Sequence, residues 1–395
     1  MSTDPVVIVA MARTPMGGLL GELAGVSAPT LGSVAIKGAL AQAGIDPTDI
    51  NETIMGCVLP AGQGQAPARQ AARYAGVPDS TGAVTINKMC GSGMKAMMMA
   101  ADSIAVGTND IVIAGGMESM TNAPFLVPKG RTGNKYGHTM IYDHMALDGL
   151  EDAYDPGRAM GTFAEDCAGK YQFTRDAQDA YAIESVKRAR KAIDDGTFAE
   201  EITPVTVAER KGERVVDTDE QPGKANPDNV PQLKPAFAKD GTVTAATSSS
   251  ISDGAAALIL MRRSDAEKRG LTILAEIKGH MTHSQEPKWF TTAPVGAIDK
   301  LLQKVGWAKD EVDLFEINEA FAVVPMAAMK ELGLAHDKVN VHGGACALGH
   351  PIGASGARIS VTLLNALKQH GLKKGVASLC IGGGEATAVA LELMH

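Results

Sequence analysis

The sequence predicts an α/β protein built from two similar halves, with a loop-rich segment inserted between them. Three observations carry this expectation. Strand-like and helix-like segments alternate from Val6 to about Ser119. The alternation resumes near Ser252 and runs through the remainder of the chain. Short stretches of the late part also echo the early part. Alternation of this kind implies a parallel or mixed sheet covered by helices.

The elements justify themselves in order. Val6 to Ala10 is an apolar strand. Thr30 to Ala43 carries helical periodicity and stops at Gly44, a residue suited to a left-handed cap. Ile54 to Val58 reads as a strand, Ala66 to Ala75 as a helix and Thr85 to Asn87 as a short strand. Met94 to Ala105 is apolar around most of a helix and should be buried, with Met94, Met97, Met98 and Met99 in the core. Ile111 to Gly115 closes the first alternation. From about 120 to 246 the chain is rich in Gly, Pro, Asp and charge, with one long helix from about Arg175 to Asp194. The predicted domains are therefore 1–119 with 247–271, a loop domain 120–246, and 272–395. Ile111–Glu118 resembles Ser378–Glu385 at an offset of 267, and Ser92–Lys95 resembles Ser355–Arg358 at an offset of 263. An internal duplication would set a site between the halves, where loops from both converge.

Composition excludes several classes. The 395 residues are 45% hydrophobic and 21% charged, ordinary for a globular protein, and they hold 44 Gly and 19 Met. The net charge is -8, with no polybasic tail or aromatic-interleaved basic patch, so nucleic acid is not an expected partner. An anionic ligand would have to be held by local basic residues. The five cysteines, Cys57, Cys90, Cys167, Cys346 and Cys380, form no CxxC pair. An odd number argues against a disulfide framework and a structural zinc site, and fits a reducing compartment. The apolar run Val6–Met11 is too short for a signal peptide, no stretch approaches a membrane span, and Leu393-Met394-His395 is no peroxisomal signal. The reading is a cytoplasmic enzyme that needs no metal or redox cofactor and no membrane.

Cys90 lies where a β-branched lead-in, Val84 to Ile86, meets Gly91-Ser92-Gly93 and the Met-rich helix. Free N–H groups and the positive end of the helix dipole there favour a thiolate. Three further segments stand out: Glu316–Ala322, Asn340–Gly356 and Cys380–Gly384. Taken singly, each has a plain alternative. Cys90, Cys57, Cys167 and Cys346 fit small buried hydrophobes, Cys380 a strand-end core residue, His350 a turn histidine before Pro351, and Asn318 a cap. Gly91–Gly93 and Gly353–Gly356 lack the full dinucleotide fingerprint and its acidic partner.

Together, Asn87–Gly93, Asn318–Ala322, Gly349–Gly356 and Cys380–Gly384 resemble the thiolases in order and spacing, over essentially the whole chain. The nearest resemblance is to the acetyl-CoA C-acetyltransferase type. It implies a five-layered αβαβα thiolase fold with a loop domain over the coenzyme A site. It implies that Cys90 carries the acyl group, that His350 activates it, and that Cys380 moves the Cα proton. Asn318 would hold a water that forms one oxyanion hole with His350, and the backbone N–H groups of Cys90 and Gly382 would form the other. Ser249 would touch pantetheine, though it also reads as a simple loop serine, and Lys224 stays unassigned. Met160 and Phe321 would wall the acyl pocket, with Trp289-Phe290 adding bulk in a loop that approaches the acyl end. The implied substrates are acyl-CoA thioesters and the implied assembly is a homotetramer, a dimer of dimers. Departures from the family pattern, Ala159 before Met160-Gly161 and His342 before Gly343-Gly344, bear on chain-length preference. The alternatives are a broad-range 3-ketoacyl-CoA thiolase of fatty-acid degradation and a non-catalytic acyl-CoA-binding relative.

Overall fold

The computed structural model describes residues 4–394; residues 1–3 and 395, on which part of the reading of the termini rests, lie outside it. In chain order the first half runs β1 (Val6–Arg13), β2 (Gly17–Gly18), α1 (Ala28–Ala43), β3 (Glu52–Gly56), α2 (Pro67–Tyr74), β4 (Gly82–Ile86), α3 (Ser92–Ala105) and β5 (Ile111–Ser119). The intervening segment holds β6 (Phe125–Leu126), β7 (Tyr142–Asp143), α4 (Met160–Tyr171), α5 (Arg175–Asp194), β8 (Val205–Glu209), β9 (Gly212–Val216) and α6 (Glu220–Lys224). Then follow β10 (Ser252–Arg262), α7 (Arg263–Lys268), β11 (Ala275–Ser284), α8 (Ala293–Val305), β12 (Leu314–Ile317), α9 (Val323–Leu332), α10 (Ala345–Leu348), α11 (Ser355–Gln369), β13 (Lys374–Ile381) and β14 (Glu385–Leu393). The ends follow from local chemistry. Ser27 caps α1 by accepting from the Thr30 N–H, and Gly44 ends that helix at φ 65°.

The strands order as β12-β13-β14-β11-β1-β10-β5-β3-β4, with β2 beside β10. Each half repeats one pattern. In the first, β4, β3 and β5 are parallel and β10 and β1 return antiparallel. In the second, β12 and β13 are parallel and β14 and β11 return antiparallel. Where β4 flanks β3, only Val339 bridges Phe315. A two-residue contact, Val7 to Glu276 and Ile8 to Ala275, joins the half-sheets edge to edge.

Three cores alternate with the sheets. One packs α1 and α2 on the first half-sheet, a second packs α3 and α11 between the half-sheets, and a third packs α8, α9 and α4 outside the second. At the centre α3 and α11 meet through glycines. A Cβ on Gly356 would lie 2.4 Å from the Met94 nitrogen, and one on Gly93 2.8 Å from that of Ala357. Only glycine allows the backbones so close.

Two sequence expectations need correction. The duplication does not slip by four residues. The turns after β5 and β13 begin at Ser119 and Ile381, 262 apart, and α3 and α11 begin at Ser92 and Ser355, 263 apart. The apparent offset of 267 came from the glycine pairs, which lie inside β5 but beyond the end of β13. Met99 is 36% exposed, because it points away from the face that carries Met94, Met97 and Met98.

Candidate active site

Cys90 ends a tight turn between β4 and α3. Lys88 N–H donates to Ser92 Oγ at 2.8 Å, Met89 N–H to Asn87 Oδ1 at 2.9 Å, and Ser92 N–H to the Met89 carbonyl at 3.0 Å. Met89 takes φ 46°, which a side chain bearing a Cβ adopts only under constraint. A Cβ on Gly91 would lie 2.3 Å from Ile381 Cδ1, so the turn packs directly on the end of β13. That brings the Gly382 N–H onto the Cys90 sulfur, with Cys380 close enough for the two thiols to interact electrostatically.

The expectation of a resting thiolate is not met. Burial pushes the Cys90 thiol up to about 11, outweighing the N–H groups of Gly382 and of Cys90 itself. Cys380 is fully buried and is pushed well above the ordinary thiol range by burial and by Cys90. The helix start supplies donors, but a charge inside a dry site costs more than they return. Both thiols are therefore neutral at rest.

His350 sits in the loop between α10 and α11. Its N–H donates to the Ser250 carbonyl at 3.1 Å and to Ser252 Oγ at 3.2 Å. Its Nδ1 lies 2.5 Å from Ser355 Oγ, and the Ser355 hydroxyl is donated to the Pro351 carbonyl at 3.0 Å. With that proton committed, Ser355 can only accept, so Nδ1 carries the ring proton and Nε2 keeps its lone pair. Nε2 is buried without a protein partner. Burial, with the Arg358 charge, pushes the imidazole down to about 3. It is a neutral base with one free, buried nitrogen. Ile352, two residues on, packs in the cluster that Met89 and Cys90 also join.

Asn318 follows β12, its N–H donating to the Ser378 carbonyl at 3.0 Å. Its side chain is buried, and neither amide atom has a partner. An unpaired buried amide is costly and marks a place built for a ligand or water. Ser249 lies alongside, its N–H and hydroxyl both donating to the Ala320 carbonyl at 3.0 Å.

Two cavities flank these residues. One of about 240 Å³ is lined by Met89, Tyr154, Met160, Gly382 and Gly383. Phe321 is set back from it, edge-on to Phe237 at 5.9 Å, and Phe237 in turn covers Gly161. The other, about 340 Å³, is lined by Lys224, Ser248, Ser250 and Cys346 among others. Cys346 is thus half-buried at a cavity wall, unlike Cys57 and Cys167, which are core residues as expected. Trp289 and Phe290 differ from expectation too. Phe290 is buried and packs edge-on against Phe163 of α4 at 6.0 Å, and Trp289, half-buried, lies under Lys170 at 4.4 Å, so both rings turn to α4. Only the backbone near them, at Gln285 and Pro287, backs Gly384.

The sequence matches Ser355 to Ser92 in the internal repeat but gives it no role, because the residues around it, Gly353–Gly356, are weighed only against the dinucleotide fingerprint. Its spacing, five residues after His350 at the start of a helix, was the available signal. Glu118 escaped because it ends an apolar strand. It is fully buried and accepts from the N–H groups of Val58, Leu59 and Gly353 at 2.8, 3.1 and 2.9 Å.

The chain is similar to known proteins over nearly its whole length. The family described as "Thiolase, N-terminal domain" matches residues 6–264, and "Thiolase, C-terminal domain" matches residues 271–393. Acetyl-CoA acetyltransferase 2 of Arabidopsis thaliana is 51% identical over 392 residues, 98% of this chain and 97% of its own. Acetyl-CoA acetyltransferase of Pseudomonas aeruginosa is 48% identical, covering 98% of each chain. The crystal structure of the Bacillus anthracis acetyl-CoA acetyltransferase superposes with a TM-score of 0.96 at 41% identity, over 99% of each chain. A thiolase from Ascaris suum in complex with coenzyme A gives 0.93 at 43%, over 99% of this chain and 100% of its own. Sequence and fold agree from end to end: the chain belongs to the thiolase family.

Proposed function

We propose that this protein is an acetyl-CoA C-acetyltransferase, condensing two acetyl-CoA reversibly to acetoacetyl-CoA and coenzyme A. The observation that carries the reading is the Gly382 N–H on the Cys90 sulfur, with Cys380 at the end of β13 two residues before it. The end of one strand and the residue after it then offer both an oxyanion donor and a proton carrier to a single nucleophile.

The resting protonation states set the order of steps. His350 Nε2 takes the Cys90 proton as the sulfur attacks the acetyl-CoA carbonyl. The oxyanion is received by N–H groups of Cys90 and Gly382, each such donor contributing about 3–4 kcal/mol. Cys380, neutral at rest, gives its proton to the departing coenzyme A sulfur and becomes a thiolate. That thiolate then removes a Cα proton from the second acetyl-CoA. The enolate, facing His350 and the unpaired amide of Asn318, attacks acetyl-Cys90, forming the carbon–carbon bond and releasing the Cys90 thiolate. The imidazolium returns the first proton. A thiolate suits both roles, since it attacks well and leaves well. Coenzyme A thioesters are the substrates, and no cofactor is needed. The larger cavity, with Lys224 and the serines around Ser249, suits pantetheine and a coenzyme A phosphate, and Met160 suits the wall of a short acyl pocket.

Acetyl-CoA should leave an acetyl group on the Cys90 peptide after digestion. Acetyl on Cys380 with Cys90 unmodified would reverse the assignment. Turnover should fall from acetoacetyl-CoA to 3-ketohexanoyl-CoA, whereas a profile flat to eight carbons would favour the degradative reading. We also propose a soluble cytoplasmic tetramer. Among the described residues no helix is long and apolar enough to cross a membrane. The segment 120–142 exposes Phe125, Tyr136, Met140 and Ile141, more apolar surface than a lone subunit usually leaves in water. Sedimentation at 41.0 kDa would contradict the assembly.

A further inference from the structure

We propose that each half of the molecule holds the other half's catalytic loop through a carboxylate. Glu385 of the second half grips Lys88 in the nucleophile turn, and Glu118 of the first half grips Gly353 in the His350 loop. Both are positioning residues for the Cys90–His350 pair.

Lys88 lies two residues before Cys90, and Glu385 three after Gly382. Their side chains meet at 2.6 Å, and Ser284 on β11 donates to the other Glu385 oxygen at 3.0 Å. The pair is only 20% and 32% exposed, so it is shielded from bulk water more than a surface bridge is. Its position gives it leverage. The nucleophile must stay against the Gly382 N–H, and the pair ties the residues on the far sides of these two groups together. The turn cannot slide along β13 without breaking it. Met89, between Lys88 and Cys90, is held at φ 46°, a conformation that needs support from outside the turn.

Glu118 supplies the second hold. One of its oxygens accepts from Val58 and Gly353, the other from Leu59 and the Cys57 thiol at 3.5 Å. Gly353 follows His350 by three residues and precedes Ser355, which sets the His350 tautomer. Val58 in turn accepts from Asn87 Nδ2 at 3.4 Å, and Asn87 holds the Met89 N–H. One buried carboxylate therefore reaches both loops. At the same level of β13, the contact with the opposite loop is apolar, Ile381 on Gly91. The two halves hold each other by different chemistry.

The proposal rests on the thiolase reading. The test compares Lys88→Met, Glu385→Gln and the double variant in thiolysis of acetoacetyl-CoA. Each single change should lower kcat about 10-fold with KM for coenzyme A within about 2-fold, and the double change should cost no more than either alone. Lys88→Arg, which keeps the pair, should stay near the parent. Glu118→Gln, a separate hold, should multiply with Lys88→Met. Singles at parental kcat, or a double variant down about 100-fold, overturn the clamp. A second readout needs no coenzyme A chemistry. Iodoacetamide alkylation of Cys90 at pH 8, read on its peptide, should slow in Lys88→Met because the sulfur loses the Gly382 N–H. An unchanged rate overturns the proposal. If the parent protein alkylates at Cys90 yet fails to turn over acetoacetyl-CoA, the functional reading falls and the alkylation comparison still decides the clamp.

Discussion

Cys90, Cys380 and His350 are all uncharged at rest, and this shapes what single substitutions do. Cys380→Ser should separate the half-reactions. A serine hydroxyl is far less acidic than a thiol, so Cα proton transfer should fall by orders of magnitude. Cys90 should still accept acetyl from acetyl-CoA, detectable by mass, and parental condensation rates would place the base elsewhere. Ser355→Ala tests the tautomer argument. Without an acceptor at 2.5 Å from Nδ1, the ring is free to carry its proton on Nε2, the wrong nitrogen for a base. The expected loss is about 10²-fold in kcat, by the usual size of general-base contributions. Ser355→Thr, which keeps the hydroxyl, should recover most of it. Equal loss in both variants would show that the site merely dislikes substitution. The four motif residues were legible as types in order. Their protonation was not, because a helix-terminal thiol reads as activated until the burial around it is known.

At the scale of elements, alternation and glycine stops located α1, α3, α5 and β5 well. The α5 helix occupies the predicted Arg175–Asp194. What pattern reading could not supply was direction across the layers. Trp289-Phe290 is adjacent in sequence to nothing that fixes its facing, and only the packing of Phe290 on Phe163 shows that it belongs to α4. Phe290→Ala should therefore cost stability, about 3–5 kcal/mol by the usual size of an aromatic cavity, and leave chain-length preference alone. Thermal unfolding against a 3-ketoacyl-CoA series separates these, and admission of longer chains by this variant would restore the ring to the acyl pocket. The α3–α11 crossing makes the opposite case, in which too little space decides. Gly356→Ala places a methyl 2.4 Å from the Met94 nitrogen. Backbone cannot yield as a side chain can, so the helices must separate, at about 1–3 kcal/mol. Because Cys90 and the His350 loop sit at the starts of these helices, turnover should fall more than stability does. A variant with parental kcat would mean the catalytic loops are set independently of the crossing.

The whole molecule buries ionisable groups of both kinds, and their opposed shifts should give its stability a maximum in pH. His350 and His342 are pushed down to about 3 and 4, chiefly by burial, against an ordinary 6.5. The unfolded chain binds their protons first, so stability rises with pH through the window from about 3 to 6.5 and is complete above it. Glu118 and Glu316 are pushed up, again chiefly by burial, to about 7 and 8 from an ordinary 4.5. Here the folded state keeps protons that the unfolded chain has released. Stability from this source is full below about 4.5 and is lost as pH rises toward 8. Between 4.5 and 6.5 the two trends oppose each other. Below that window the histidines act together with carboxylates held low by their partners, such as Asp195 at about 2 and Glu385, and above it the glutamates act, joined at higher pH by the buried thiols. Tm measured from pH 4 to 9 should therefore hold a plateau near pH 5–6.5, fall on the acid side, fall again towards pH 8, and go on falling towards pH 9, where unfolded thiols ionise and the buried ones, pushed up by burial, do not. Glu118→Gln removes one of the two groups and should flatten the alkaline limb without touching the acid one. None of this was legible in the sequence, where Glu118 closes an apolar strand and Glu316 precedes a motif. Both acquire their shifts only in the folded chain, Glu118 buried among Val58, Leu59 and Gly353, and Glu316 buried with Glu319 and Glu201 near it and only Arg358 opposing. A Tm that climbs steadily through pH 8 would mean that these carboxylates are ionised in the folded protein, and that buried donors beyond those identified hold their charge.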